Sequence, residues 1–122
     1  MNHKVNLEQK FGLFNEHWTP KIVEETNGQY VKIAKAQGDM IWHSHELEDE
    51  LFIVFKGCLS IHFRDRVIEL NPGELFVVPK GTEHRTSALE ETHFMMIEPK
   101  NTAHTGTIHS EQTVALENQE RI

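Results

Sequence analysis

Cysteine is almost missing from this chain of 122 residues: Cys58 is the only one, so no intramolecular disulfide can staple the fold. Stability must come from an ordinary hydrophobic core, and the thiol content suits a reducing compartment. Long apolar runs are missing too. No window approaches the 18 or so uncharged apolar residues that span a bilayer, which excludes a membrane-spanning helix. Residues 1–10 are charged and polar and lack the apolar run of a secretory signal, so the expectation is a cytosolic protein. Basic charge is also scarce, with 12 Lys and Arg against 19 Asp and Glu and a net charge of −7. That sign is wrong for neutralising a phosphate backbone, which excludes nucleic acid as the expected partner. Helical periodicity is almost absent, and there is no internal repeat.

What is abundant is histidine. Nine of the 122 residues are histidine, an excess that raises metal ligation before any motif is read. The chain length suits one domain, and short stretches rich in Val, Ile and Phe alternate with turn signals in the rhythm of a β-sandwich or barrel. Residues 6–14 offer a short helix, with Asn6 as N-cap and Gly12 near its end. Strands are expected at residues 21–25 and 29–36, joined by Asn27-Gly28, a pair suited to a two-residue hairpin loop. Further strands are expected at residues 40–45, 50–55, 59–63, 67–70, 74–78, 84–88 and 92–97. The organisation expected is an N-terminal segment (1–20), a barrel (21–99) and a polar tail (100–122).

His43 and His45 alternate on one strand, so their rings project to the same side. Alone, such a pair means little in a chain this rich in histidine. Here it is followed by Glu50 and Gly57, and later by Gly73, Pro79, Gly81 and His84. The spacing is H-x-H-x4-E-x6-G followed by G-x5-P-x-G-x2-H. It resembles the two motifs of the cupin superfamily. Looser likeness, at Trp18-Thr19-Pro20, Glu98-Pro99 and Thr105-Gly106, suggests the bacterial cupins often labelled mannose-6-phosphate isomerase-like.

The resemblance implies an all-β, antiparallel jelly-roll barrel holding one divalent transition metal, with His43, His45, Glu50 and His84 as ligands. It also assigns Gly57, Gly73 and Gly81 to turns, and Pro79 to the approach to His84. Two positions depart from the family pattern: Gly38 stands five rather than six residues before His43, and Ala88 replaces a usual asparagine. Three imidazoles and a carboxylate suit Fe(II), Mn(II), Ni(II), Zn(II) or Cu(II), and a six-coordinate metal keeps two positions for other ligands. Asp49 is the alternative carboxylate to Glu50.

Other residues are weaker candidates. Tyr30, Phe52, Val54, His62, Thr86, His93 and Met95 lie where they could line a pocket, and Tyr30, His62 and His93 are the candidates to move a proton there. Arg64, Lys80 and Arg85 are the cations available to an anionic substrate. Cys58 reads as a small buried hydrophobe. His3, His17, His104 and His109 have no spacing to commend them. The function expected is a metal-dependent enzyme acting on a small polar organic molecule, either a dioxygenase or an isomerase or lyase of sugars or organic acids. A non-catalytic module that binds a sugar or organic acid is the alternative. Apolar residues on both strand faces, Leu51, Ile53 and Phe55 opposite Phe52 and Val54, lead us to expect a homodimer.

Overall fold

The computed structural model describes residues 3–106 and 108–122. Among them are one α-helix, α1 (Leu7–Phe11), one turn of 3-10 helix (Leu116–Asn118) and eight strands. The strands are β1 (Lys21–Thr26), β2 (Gln29–Asp39), β3 (Glu50–Lys56), β4 (Leu59–His62), β5 (Val67–Leu70), β6 (Leu75–Val78), β7 (Arg85–Pro99) and β8 (Glu120–Arg121). β2 and β7 are long enough to be shared by both walls of the barrel. The order β5-β4-β7-β2-β1-β8 forms one path, while β3 pairs with β7 on one side and β6 on the other.

Alternation places Ala34, Phe52, Val54, Ile61, Phe94 and Met96 inside, where they form the main core. The outer face of β2 and β7 is covered by the N-terminal segment. Phe11 and Phe14 pack there with Val23, Ile33 and Met95, which gives the short helix its apolar partner. Asn6 caps that helix by accepting from Gln9 N–H at 3.1 Å, as its sequence position suggests. Asn27 and Gly28 both take positive φ (50° and 77°), and Thr26 faces Gln29 across the expected two-residue loop.

Two expectations need correction. Residues 40–45 are not a strand: β2 bulges between Ala36 and Gly38, and the following segment touches its neighbour only at points. Met40 N–H donates to Thr86 O, and His43 and His84 exchange backbone bonds of 2.9 Å. The ladder is interrupted because the Gln112 side chain takes up Ile41 N–H and Asp39 C=O instead. The strands expected at 84–88 and 92–97 are one continuous strand, β7, with His84 just outside it. The two departures from the cupin pattern, Gly38 and Ala88, turn out to be cross-strand partners.

Residues after β7 return across the barrel. Lys100 N–H donates to Gly28 O and Ile122 N–H to Ile22 O, and β8 adds a short parallel pairing to β1. Gly106 permits the closest approach in this strap, because a Cβ there would overlap the Ser44 carbonyl and the residue also has φ +61°.

Candidate metal centre

The four motif residues arrive from three local devices. His43 and His45 lie on the point-tethered segment after the bulge, Glu50 opens β3, and His84 follows the Pro79 turn. All four are buried. One ligand atom from each falls within 4.8 Å of the others, so the group could hold a metal ion. His45 Nε2 and His84 Nε2 stand 3.5 and 3.4 Å from Glu50 Oε1.

The hydrogen bonds fix which ring atoms face inward. His43 Nδ1 donates to Ile41 O and His84 Nδ1 to Thr82 O, each at 2.9 Å. A carbonyl can only accept, so both rings hold their proton on Nδ1 and turn the Nε2 lone pair toward Glu50. His45 Nε2 and His84 Nε2 are buried with no hydrogen-bond partner. Orphaned ring nitrogens beside a carboxylate cost free energy unless something binds them, so the site fits a divalent cation. Burial lowers His43 to about 4, against the small opposing effect of Ile41 O. Burial would raise Glu50, but the His45 and His84 imidazoles and the Glu98 carboxyl beside it overcome that and hold the carboxylate well below its usual range. Burial would likewise lower His45, but the neighbouring Glu50 carboxylate raises it.

Asp49, the alternative carboxylate, is exposed and accepts from Lys80 N–H at 2.9 Å. It anchors a loop and leaves Glu50 to point inward.

A cavity of about 30 Å³ reaches His43 and Glu50. Of the residues expected to line a pocket, Phe52 and Thr86 do so. Val54 is sealed in the core. His62 bonds Ser87 Oγ at 2.7 Å on the outer face. His93 stacks on Phe11 with ring centres 4.7 Å apart, and Met95 packs into the same outer cluster. Tyr30 lies under the charged groups of Lys32, Lys100 and Arg121. His62, His93 and Met95 follow the alternate face of their strands, which the sequence leaves open by one residue, while Tyr30 sits near the start of β2.

The expected cations are also engaged elsewhere. Arg64 is exposed, pairs with Glu83 at 2.7 Å and lies 3.8 Å over the Trp42 ring. Arg85 pairs with Asp39 at 3.1 Å, and Lys80 is exposed. Cys58 is half-buried rather than buried. Burial, Glu69 and Glu74 push its thiol up, which leaves it a poor nucleophile.

Four residues contribute that the motif spacing does not point to. His104 lines the cavity from the strap, and burial lowers it to about 4. Trp18 lines it from the N-terminal segment, holding a positive φ of 57°. Its backbone N–H donates to Lys35 O and its indole N–H to Gln37 O. Behind the site, Lys32 and Glu98 are buried on the inner face of β2 and β7. Burial and the Glu50 carboxylate push Glu98 well above the carboxylate range. The alternation of Glu98 with Met96 and Phe94 was the available signal for that inward position.

The sequence profile described as cupin domain matches residues 29–99. The Bacillus subtilis (strain 168) protein YdbB is 38% identical over 79 residues, which cover 64% of this chain and 70% of YdbB. A cupin-2 domain containing protein from Shewanella frigidimarina is similar in structure at TM-score 0.77 and 47% identity, over 78% of this chain and 93% of that one. Protein NMB1881 from Neisseria meningitidis is similar at TM-score 0.73 and 28% identity, over 80% of this chain and 99% of that one. With the motif residues converging inside a jelly-roll barrel, this chain belongs to the cupin family.

Proposed function

We propose that the chain is a metal-dependent enzyme acting on a small organic molecule, with His43, His45, Glu50 and His84 holding one divalent transition metal. The observation that carries this reading is the pair of buried, unpartnered Nε2 atoms beside Glu50, next to a cavity that leaves room for a further ligand. When bound, the metal would supply Lewis acidity or a place where substrate and dioxygen meet. The chain's own residues orient that chemistry: Ile41 O and Thr82 O set the ring tautomers, and Phe52, Phe94 and Met96 keep the cavity dry. Among the described residues the cavity lining offers no Lys or Arg to a phosphate, which favours dioxygenase, isomerase or lyase chemistry on an unphosphorylated molecule.

Protein purified without chelator or nickel affinity should carry close to one equivalent of metal by elemental analysis. His45→Ala and His84→Ala should lose most of it, while His62→Ala and His109→Ala should keep it. Equal losses in both groups would defeat the ligand assignment. Loaded protein incubated in air with a panel of hydroxy acids and sugars, followed by oxygen uptake and proton NMR, should convert at least one compound in a manner lost with His84→Ala. Tight binding without conversion would instead support a sensing module.

A further inference from the structure

His104 comes from the strap and lies outside the 29–99 span that matches the cupin domain. It is nonetheless held in place by a dedicated set of contacts. Thr102 and Thr105, on either side of it, are fully buried. Gln112 ties the strap to Asp39 O and Ile41 N, and Gly106 sits against Ser44. The ring itself accepts Val114 N–H at Nδ1 over 2.9 Å. A backbone N–H can only donate, so Nδ1 keeps its lone pair and the ring proton resides on Nε2. Among the described residues this Nε2–H has no protein acceptor, while the ring lines the same cavity as His43 and Glu50.

The cavity also has a charge requirement. A divalent cation held by three neutral imidazoles and one carboxylate leaves positive charge uncompensated, and the buried Lys32 behind the site does nothing to reduce it. Most of the remaining lining is apolar, including Trp18, Met40, Phe52, Phe94 and Met96, and such walls penalise any further unpaired charge. We infer that the cavity takes a small organic acid as its anion, bound to the metal through oxygen, and that His104 Nε2–H donates to that oxygen. His104 is thus a substrate-contacting residue that selects an anionic oxygen ligand. The inference rests on the metal reading above.

The test uses the full chain loaded with cobalt(II), as wild type, His104→Leu and His104→Gln. Cobalt affinity is measured by chelator competition, and lactate and inorganic phosphate are titrated against the visible cobalt band. All three proteins should hold cobalt equally well. Lactate should bind wild type better than phosphate does, weaken by about tenfold or more in His104→Leu, and recover most of that loss in His104→Gln, whose amide restores a donor. Normal cobalt binding with unchanged lactate affinity in His104→Leu would overturn the role of His104 alone. No lactate binding to wild type, or preference for phosphate, would overturn the ligand class. Failure of wild type to hold cobalt would overturn this inference together with the metal reading. If the Leu variant does not fold, nitrogen-15 histidine spectra of zinc-loaded wild type decide the matter. Nε2–H on His104 that shifts when lactate is added supports the role, and a proton on Nδ1 or no shift refutes it.

Discussion

Lys32 Nζ lies 2.8 Å from Glu98 Oε1 inside the barrel, with the two side chains 0% and 3% exposed. The contact is off hydrogen-bond alignment and Glu98 Oε2 has no partner, so the arrangement is held by charge and burial. Glu98 in turn lies beside Glu50, and each carboxyl shifts the other. A buried row thus runs from β2 across β7 to the candidate metal ligand on β3. One ammonium balances one negative charge shared by two carboxyls, and the downward shift of Glu50 with the upward shift of Glu98 places that charge chiefly on Glu50.

Removing one member should therefore hurt more than removing two. Lys32→Met should cost about 3–5 kcal/mol, because it strands the carboxyls without a cation, and Lys32→Met with Glu98→Leu should recover most of that loss. Urea denaturation of the single and double variants measures this. Additive losses would show that the two side chains do not act as a pair.

The strap makes a second prediction. Gly106→Ala should cost about 2 kcal/mol or more, since the new methyl meets Ser44 backbone and the φ is positive. Gly28→Ala, also at positive φ but with open space around it, should cost only about 1 kcal/mol. Similar losses at both sites would mean that the strap does not press on the His43–His45 segment.

The pH dependence of the metal-free protein follows from His104. Its folded value, about 4, lies below the ordinary 6.5, so the unfolded chain takes up the proton first and acid favours unfolding. The stability advantage of wild type over His104→Leu should shrink by about 2 kcal/mol as pH falls from 6.5 to 5. Urea midpoints at the two pH values test this, and a constant gap would contradict a buried neutral ring.

The outer face of β3 and β6 predicts association. Leu75 pairs with Ile53, and Val77 with Leu51, across the two strands. Phe55, Leu75 and Val77 are exposed. An apolar ladder of this kind fits a second copy of the chain, so light scattering after size exclusion at micromolar concentration should give twice the mass of one chain, and Leu75→Lys should shift it toward monomer. A single species near 14 kDa for wild type would refute the dimer.

What was legible in the sequence is what local chemistry controls. The Asn27-Gly28 hairpin follows from backbone preference, the Asn6 cap from a short-range hydrogen bond, and the convergence of His43, His45, Glu50 and His84 from motif spacing. The strand at 40–45 failed because a side chain distant in sequence, Gln112, replaces its ladder partner. The inward positions of Lys32 and Glu98 are signalled only by alternation along their strands, which the tendency of charged residues to face water overrides; here each stabilises the other on the inner face. His104 has no local signal for the same reason as Gln112: only the return of the strap brings it to its partners. His62, His93 and Met95 missed the cavity because nothing local sets which strand face points inward, and Tyr30 missed it because it sits near the start of β2, away from the site.

The most direct test of the central claim is anomalous diffraction from crystals of the metal-loaded protein at the metal's absorption edge. The expected result is one peak about 2.0–2.3 Å from Nε2 of His43, His45 and His84 and from a Glu50 oxygen. A peak at any other histidine, or none at these four residues in excess metal, would contradict it.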